Sequence, residues 1–178
     1  MNINIKKLLI KKLFIKILYS TFLFFTPLYF LSAQVIDSKF YDWTVYEFQN
    51  NEFDYKKCYI VSHPISSDSD DSSRKKPYLM ITRYQKDRKE EVSVYGGFEF
   101  KTSSEIFMIV DAFQFYLKAK DDMAWAISKT EDIAIIETLI NSKNAKIRSD
   151  SALGSYAIDD YSLKGITLAY NRMREICR

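Results

Sequence analysis

WTVYEFQNNEFDYKKCYIVS, residues 43–62, is the stretch that most clearly sets the fold class. Trp43 and Val45 lie two residues apart near its start, and Cys58 and Ile60 lie two residues apart near its end. Successive side chains of a β-strand point to opposite faces, so apolar residues at a period of two are typical of a half-buried strand. The stretch therefore predicts two β-strands, each with one face in a core.

The same pattern continues through residues 40–118, where runs of aromatic and β-branched residues are separated by polar turns. This composition is typical of an all-β domain with half-buried strands. The period of two recurs at Val92, Val94, Phe113, Phe115 and Leu117. Gly96-Gly97 holds two of the four glycines in the chain, and it predicts a tight turn or bulge.

A polar run at residues 64–77 interrupts these strands. It contains ISSDSDDSSRKK between two prolines, with no apolar residue after Ile65, so it predicts a mobile surface loop. Asp68, Asp70 and Asp71 suggest a calcium site as an alternative. The glycine and the distal glutamate of a calcium-binding loop are missing, so we expect no metal here.

The pattern changes to a helical one near residue 130. Thr130 is a suitable N-cap, with two acidic residues in the first turn, and the segment ends at residues 141–144. The apolar positions of this short internal helix are Ile133, Ile136 and Ile140. Strand-like sequence returns at residues 145–148 and 155–158.

The carboxyl terminus carries the clearest helical periodicity in the chain. Its apolar residues follow the spacing i, i+3, i+4, i+7, i+10 and i+11, which places them on one helix face. They are Ile166, Ala169, Tyr170, Met173, Ile176 and Cys177. Together these elements predict a mainly β fold. We expect a single antiparallel β-sandwich or barrel-like domain with a short internal helix and a carboxyl-terminal helix.

The amino terminus resembles a secretory signal peptide. Five lysines without an acidic residue precede the uncharged run at residues 17–31, which is shorter than the roughly 20 residues that span a bilayer. We predict cleavage after Ala33, so residues 1–33 form the signal peptide and residues 34–178 the mature domain. An uncleaved signal anchor is the alternative, and we expect no permanent transmembrane anchor.

Cleavage changes the charge and the redox setting of the chain. The formal net charge of +3 becomes negative, because five of the 26 basic residues leave while all 23 acidic residues stay. Nucleic-acid binding, which needs a basic surface, is therefore not expected. Cys58 and Cys177 are the two cysteines, and an oxidising compartment favours a disulfide between them. Two separately buried thiols are the alternative.

Few residues carry a catalytic pattern. His63 follows Cys58 by five residues, but a cysteine in a disulfide has no thiolate, and one histidine leaves too few ligands for zinc. Adjacent carboxylates, Glu90-Glu91 and Asp159-Asp160, point to opposite faces of a strand. We therefore predict no catalytic residues and no cofactor. Tyr78, Tyr84 and Tyr95 are the candidate binding residues, as an exposed stacking surface.

A series of short motifs runs in order through residues 40–178. They are Trp43-x-Val45, Lys57-Cys58-Tyr59, Lys76-Pro77-Tyr78, Glu91-Val92-Ser93, Gly97-Phe98, Trp125, Ser151 to Gly154, Asp160-Tyr161-Ser162-Leu163-Lys164-Gly165 and Ala169-Tyr170. In this order they resemble the invasion-associated locus B family. The chain differs from many members in lacking a second cysteine pair and in having Ile166 where an aromatic residue is common.

The resemblance implies a small exported protein of a Gram-negative bacterium, associated with host-cell invasion and with no established catalytic reaction. It implies a β-rich domain in the periplasm, or associated with the outer membrane or cell surface. We therefore expect a non-enzymatic protein that acts on an unknown protein or envelope partner. Two alternatives are a small-ligand or glycan binding module with an aromatic surface and an envelope hydrolase with two converging carboxylates.

Overall fold

The computed structural model describes residues 33–50, 55–102 and 105–178 of this chain. The predicted signal peptide, apart from Ala33, lies outside the described residues. The strands are β1 (Ala33–Phe40), β2 (Trp43–Asn50), β3 (Tyr55–Ser62), β4 (Ser66–Ser69), β5 (Tyr78–Tyr84), β6 (Glu90–Tyr95), β7 (Ile106–Val110), β8 (Phe113–Lys120), β9 (Met123–Ala126), β10 (Asn144–Asp150) and β11 (Tyr156–Ser162). The helices are α1 (Lys129–Ile140) and α2 (Ile166–Ile176). Neither has the length and apolar character that crossing a bilayer requires.

All of these strands belong to one 11-stranded antiparallel sheet with the order β1-β2-β3-β5-β6-β9-β8-β7-β10-β11-β4. The prediction of a mainly β domain with an internal and a terminal helix is therefore confirmed. The edge strands β1 and β4 do not pair with each other in the described part of the chain, so the sheet is sandwich-like and not closed into a barrel. Trp43 Nε1 at the start of β2 donates to the Ser162 carbonyl at the end of β11 over 3.2 Å, although these strands are far apart in the sheet order.

The apolar face of the sheet forms one core. Trp43, Val45, Cys58 and Ile60 are fully buried, which confirms the alternation predicted for β2 and β3. Strands from the other half of the sheet contribute to the same cluster through Ile106, Met108, Val110, Ala145, Ile147 and Tyr161. Burial of each large apolar side chain contributes roughly 1.5–3 kcal/mol.

Strand β8 is less buried than the sequence predicts. Leu117 belongs to the core, but Phe113 is 59% exposed. The reason is that β9 pairs only with Leu117–Lys120, so Phe113 at the other end of β8 has a neighbouring strand, β7, on one side only.

Helix α1 begins two residues earlier than predicted. Ser128 is the N-cap, and its Oγ accepts a hydrogen bond from the Glu131 backbone N–H, so the assignment of Thr130 as the cap is wrong. The buried face also differs, since Ile133 is 48% exposed. The residues that are buried are Asp132, Ile135, Ile136 and Leu139.

Asp132 is tolerated on this buried face because it has a hydrogen-bond donor in the sheet. Its Oδ1 accepts a hydrogen bond of 2.8 Å from the backbone N–H of Val92 on β6. Strand β9 pairs only with residues 93–95 of β6. The Val92 N–H therefore has no partner on β9 and donates to the Asp132 carboxylate instead. Burial raises the pKa of Asp132, because water that would stabilise the charged form is excluded.

Helix α2 matches its predicted face, since Ile166, Ala169, Met173 and the following Cys177 are buried. The helix packs against β1, β2 and β3. Cys177 forms a disulfide with Cys58 on β3, with a Cα–Cα distance of 5.8 Å, so the predicted bridge is confirmed. It connects positions 119 residues apart in the sequence.

The start of α2 requires a glycine. Gly165 has φ +94, in the left-handed region that side chains with a Cβ disfavour. A Cβ at this position would lie 2.1 Å from the carbonyl oxygen of Phe40. The helix therefore approaches the end of β1 more closely than any other residue would allow.

The polar segment 64–77 is more ordered than the predicted mobile loop. Ser66–Ser69 forms the edge strand β4 and pairs with β11. The hydrogen bonds of this pairing involve the backbone, so a serine-rich sequence without apolar residues still forms a strand. The prediction of a loop throughout this segment is therefore wrong.

Arg74 anchors the rest of the segment. Its guanidinium makes two hydrogen bonds, of 2.8 and 2.6 Å, to the carboxylate of Asp159, and the two side chains are only 5% and 1% exposed. Arg74 Nε also donates to the carbonyl of Gly96 over 2.6 Å. At Gly97 (φ +77) a Cβ would lie 2.1 Å from the Lys75 carbonyl, so the predicted Gly96-Gly97 bend is the place where the segment contacts the sheet.

The Arg74–Asp159 pair gives a first prediction. Arg74→Met leaves a buried carboxylate without its partner, and we expect a loss of about 3–5 kcal/mol in the free energy of unfolding, measured by urea denaturation. Lys146→Met is the matched control, because Lys146 pairs with Asp160 at the surface and its loss should cost no more than about 1 kcal/mol. Equal losses in the two variants would contradict a structural role for the buried pair.

Asp132 gives a second prediction, about pH. The pKa of Asp132 is above 3.8 in the folded protein. As the pH rises from 3.8, this carboxyl group therefore loses its proton in the unfolded chain before it does so in the folded protein. The contribution of this group to stability therefore falls as the pH rises through the folded pKa. Asp132→Asn keeps an acceptor for Val92 and should remove this part of the pH dependence.

The measurement is the urea midpoint as a function of pH for each protein. Asp132→Ala is the control, since it removes the acceptor and should cost about 1–3 kcal/mol at every pH. Parallel pH curves for the original protein and Asp132→Asn would show that the carboxylate is not the group responsible.

Candidate functional site

The structure brings together two of the three tyrosines that the sequence singles out. Tyr78 on β5 and Tyr95 on β6 are register partners, and their rings stack with centroids 4.9 Å apart. Tyr84 lies at the opposite end of β5, where its register partner is Lys57 on β3. All three are half-buried and none is fully exposed. The predicted surface of three tyrosines is thus a pair, with the third at a separate place.

The tyrosine pair has contacts with several neighbouring side chains. Stacked aromatic pairs of this kind contribute about 0.5–1.5 kcal/mol beyond the area they bury. The Tyr78 hydroxyl donates to the sulfur of Met123 over 3.9 Å, and burial raises the pKa of Tyr78, so its hydroxyl stays protonated at neutral pH. His63, exposed at the end of β3, has its ring edge-on to Tyr78, and its Nδ1 lies 2.7 Å from the Pro77 carbonyl, to which it donates.

A cleft of about 380 Å³ opens beside Tyr95. Its lining comes from three segments, which are the Arg74-anchored loop, the end of β6 and the β8–β9 turn. The lining residues are Lys75, Tyr95, Gly97, Phe98, Glu99, Asp121 and Asp122. We refer to these residues, with Tyr78, as the Tyr95 cleft.

Backbone hydrogen bonds fix the three segments of the Tyr95 cleft to one another. The Gly96 N–H donates to the Asp122 carbonyl over 2.9 Å, and the Phe100 N–H donates to the Asp121 carbonyl over 2.8 Å. The Lys75 N–H donates to the Gly97 carbonyl over 2.9 Å. Because these bonds involve the main chain, they leave the side chains of the acidic lining residues available for other contacts.

The chemistry of the Tyr95 cleft is that of a site for a polar organic ligand. Aromatic faces pack against the C–H face of a ring, while carboxylates and an ammonium group accept and donate hydrogen bonds to hydroxyl groups. Glu99 and Asp121 are exposed. A glycosidase needs two carboxyl groups that flank the bond to be cleaved, one of them in apolar surroundings, whereas these turn residues are exposed to solvent.

The other carboxylates that the sequence suggested are separated from each other. Asp159 faces inward to Arg74, whereas Asp160 faces outward and contacts Lys146 at 2.6 Å. Glu90 bonds to Arg83 and Glu91 to Lys89, again on opposite faces. Each adjacent pair is therefore divided by the sheet, as strand geometry predicts.

The acidic run of the 64–77 segment is used in hydrogen bonds. Asp68 accepts from the Tyr156 hydroxyl, Asp70 from the Tyr156 N–H, and Asp71 from Ser73. Within the described ranges, no group of three or more histidine, cysteine or acidic side chains is placed to hold a metal ion.

Sequence reasoning missed most of the Tyr95 cleft, namely Lys75, Phe98, Glu99, Asp121 and Asp122. These residues are distant in the chain, and only the sheet order brings β6 and β9 side by side. The one available signal was Gly96-Gly97, which marks the close approach of the loop to the sheet.

Comparison of the chain with protein-family models, with curated proteins and with solved structures found no match.

Proposed function

We propose that this chain is an exported, non-enzymatic binding protein of a bacterial cell envelope, and that the Tyr95 cleft binds a carbohydrate of that envelope. Export rests on the lysine-rich and apolar pattern of residues 1–33 and on the disulfide, which suits an oxidising compartment. The ordered motifs that resemble the invasion-associated locus B family support the same location, in the periplasm or at the cell surface.

The observation that carries the carbohydrate proposal is the stacked Tyr78–Tyr95 pair next to a polar cleft. Sugars present an apolar C–H face and a rim of hydroxyl groups. A half-buried tyrosine offers a face for the first, and Glu99, Asp122 and Lys75 offer hydrogen bonds for the second. The same envelope contact, made with a protein in place of a sugar, is the alternative within this proposal.

A ring substitution tests the site. Tyr95→Ala should weaken binding of a soluble peptidoglycan disaccharide about tenfold, equivalent to about 1.4 kcal/mol, measured by titration calorimetry of the mature protein. Tyr95→Phe keeps the ring and should bind nearly as the original does. Tyr116→Ala is the matched control, because Tyr116 is an exposed tyrosine on β8 that does not line the cleft.

Each outcome of this titration is informative. Equal binding by Tyr95→Ala and the original protein would contradict the site, and an absence of binding to disaccharide and to whole peptidoglycan would contradict the carbohydrate class. Release of reducing ends during the titration, lost in Asp122→Asn, would replace the binding function with hydrolysis.

The export proposal has its own test. Mass spectrometry of the protein made in a Gram-negative host should show a chain that starts near Gln34, with no thiol that reacts with an alkylating reagent. Cys58→Ser is the control, since it should expose one reactive thiol at Cys177. An intact Met1, or two alkylated cysteines in the unaltered protein, would contradict export into an oxidising compartment.

A further inference from the structure

A second cleft, of about 450 Å³, lies at the opposite end of β5 from the tyrosine pair. It is formed where the β5–β6 turn meets the last turn of α2. Its lining residues are Arg83, Arg88, Asn171, Arg174, Glu175 and Arg178. We call it the arginine cleft, since four of these six residues are arginines.

Arg83 is the fixed base of the arginine cleft. Its side chain is only 9% exposed, and its Nε donates to the Cys177 carbonyl over 3.2 Å. Its Nη1 donates to Glu90, whose other oxygen accepts from the Tyr170 hydroxyl at 2.6 Å. Glu90 therefore neutralises the charge of Arg83. The hydrogen bond to the Cys177 carbonyl connects the base of the cleft to a residue of the disulfide.

The remaining arginines have a surplus of hydrogen-bond donors. Arg174 makes one contact with Glu90, at 3.5 Å, and its guanidinium lies over the Tyr170 ring. Arg88 and Arg178 are exposed, and no carboxylate of the described residues lies within salt-bridge distance of either. Guanidinium groups that line one cleft repel each other, and an anion bound between them would relieve this repulsion.

The acidic lining residue, Glu175, offsets only one of the four arginine charges. Glu175 is 3.1 Å from Arg172, which also holds Asp37 on β1 through two bonds of 2.8 Å. The carbonyl oxygen of Arg178 accepts a hydrogen bond of 2.9 Å from Gln85 Nε2. One oxygen of Glu175 and the Arg178 carbonyl oxygen therefore already have partners, whereas the guanidinium groups of Arg88 and Arg178 have none among the described residues.

We propose that the arginine cleft binds a phosphate group, with Arg88, Arg174 and Arg178 as its ligands. Planar guanidinium groups bind phosphate oxygens through paired hydrogen bonds, and several of them together match a doubly charged group. The cleft is larger than a phosphate ion, and the Asn171 amide beside it offers a neutral donor and acceptor to an organic group attached to the phosphate. Such a group is supplied either by a soluble phosphate ester or by a lipid headgroup.

The experiment separates these two sources. The oxidised mature protein is titrated by calorimetry with inorganic phosphate and with glycerol 3-phosphate. In parallel it is sedimented with phosphatidylcholine vesicles that do or do not contain phosphatidate. Saturable binding of a soluble phosphate assigns the site to small molecules, and binding to phosphatidate vesicles alone assigns it to a membrane surface.

Variants locate the binding. Arg88→Gln and Arg178→Gln should each weaken it by about tenfold, since each replacement removes a charged hydrogen-bond donor from the phosphate. Both side chains are exposed and neither has a hydrogen-bond or ion-pair partner among the described residues, so neither replacement removes a contact that the structure shows. Arg148→Gln is the matched control, because it removes an exposed arginine on β10 that lies outside the cleft, and it should leave binding unchanged.

Two results would overturn the proposal. One is the absence of binding to all of these phosphate probes, and the other is equal binding by Arg88→Gln, Arg178→Gln and the unaltered protein. Tyr95→Ala should bind phosphate as the original protein does. The outcome at the arginine cleft is therefore independent of the outcome at the Tyr95 cleft.

Discussion

Trp43 is fully buried at the start of β2, and its indole N–H donates to Ser162 at the end of β11. This contact joins strands from opposite halves of the sheet order, and it reflects the constraint that governs the whole fold. A long open sheet has an apolar face that must be removed from water. Here the sheet curves so that its two halves share one core, α1 covers the region of β6 and β9, and α2 covers β1 to β3.

The two clefts follow from how the chain satisfies the polar groups around this core. The buried Arg74–Asp159 pair holds the 64–77 segment on the sheet and thereby brings Lys75 to Tyr95. At the other end of β5, the bonds of Arg83 to Glu90 and to the Cys177 carbonyl hold the arginine cleft together. In both clefts a buried arginine is paired with a carboxylate. Each pair positions more exposed side chains that can contact a ligand.

Much of the fold was predictable from local patterns. Alternation at Trp43, Val45, Cys58 and Ile60 reports burial on one face of a strand, and the terminal helix repeats its apolar residues every three or four positions. The cysteine count, together with the predicted export signal, predicted the disulfide. Other features depended on partners distant in sequence. Strand β4 has a loop-like composition and forms because β11 offers its backbone, while Phe113 is exposed because β9 is too short to cover it. The Tyr95 cleft needed the strand order itself, which no local pattern reveals.

Helix α2 is the last element in the sequence, yet it covers three of the first strands, β1 to β3. Contacts between such distant segments form slowly, since the entropy of closing the intervening chain is lost before they stabilise anything. A polypeptide that emerges amino terminus first thus presents β1 to β3 with their apolar faces uncovered until residue 176 has arrived. The order of the elements therefore delays completion of this core until helix α2 has been synthesised.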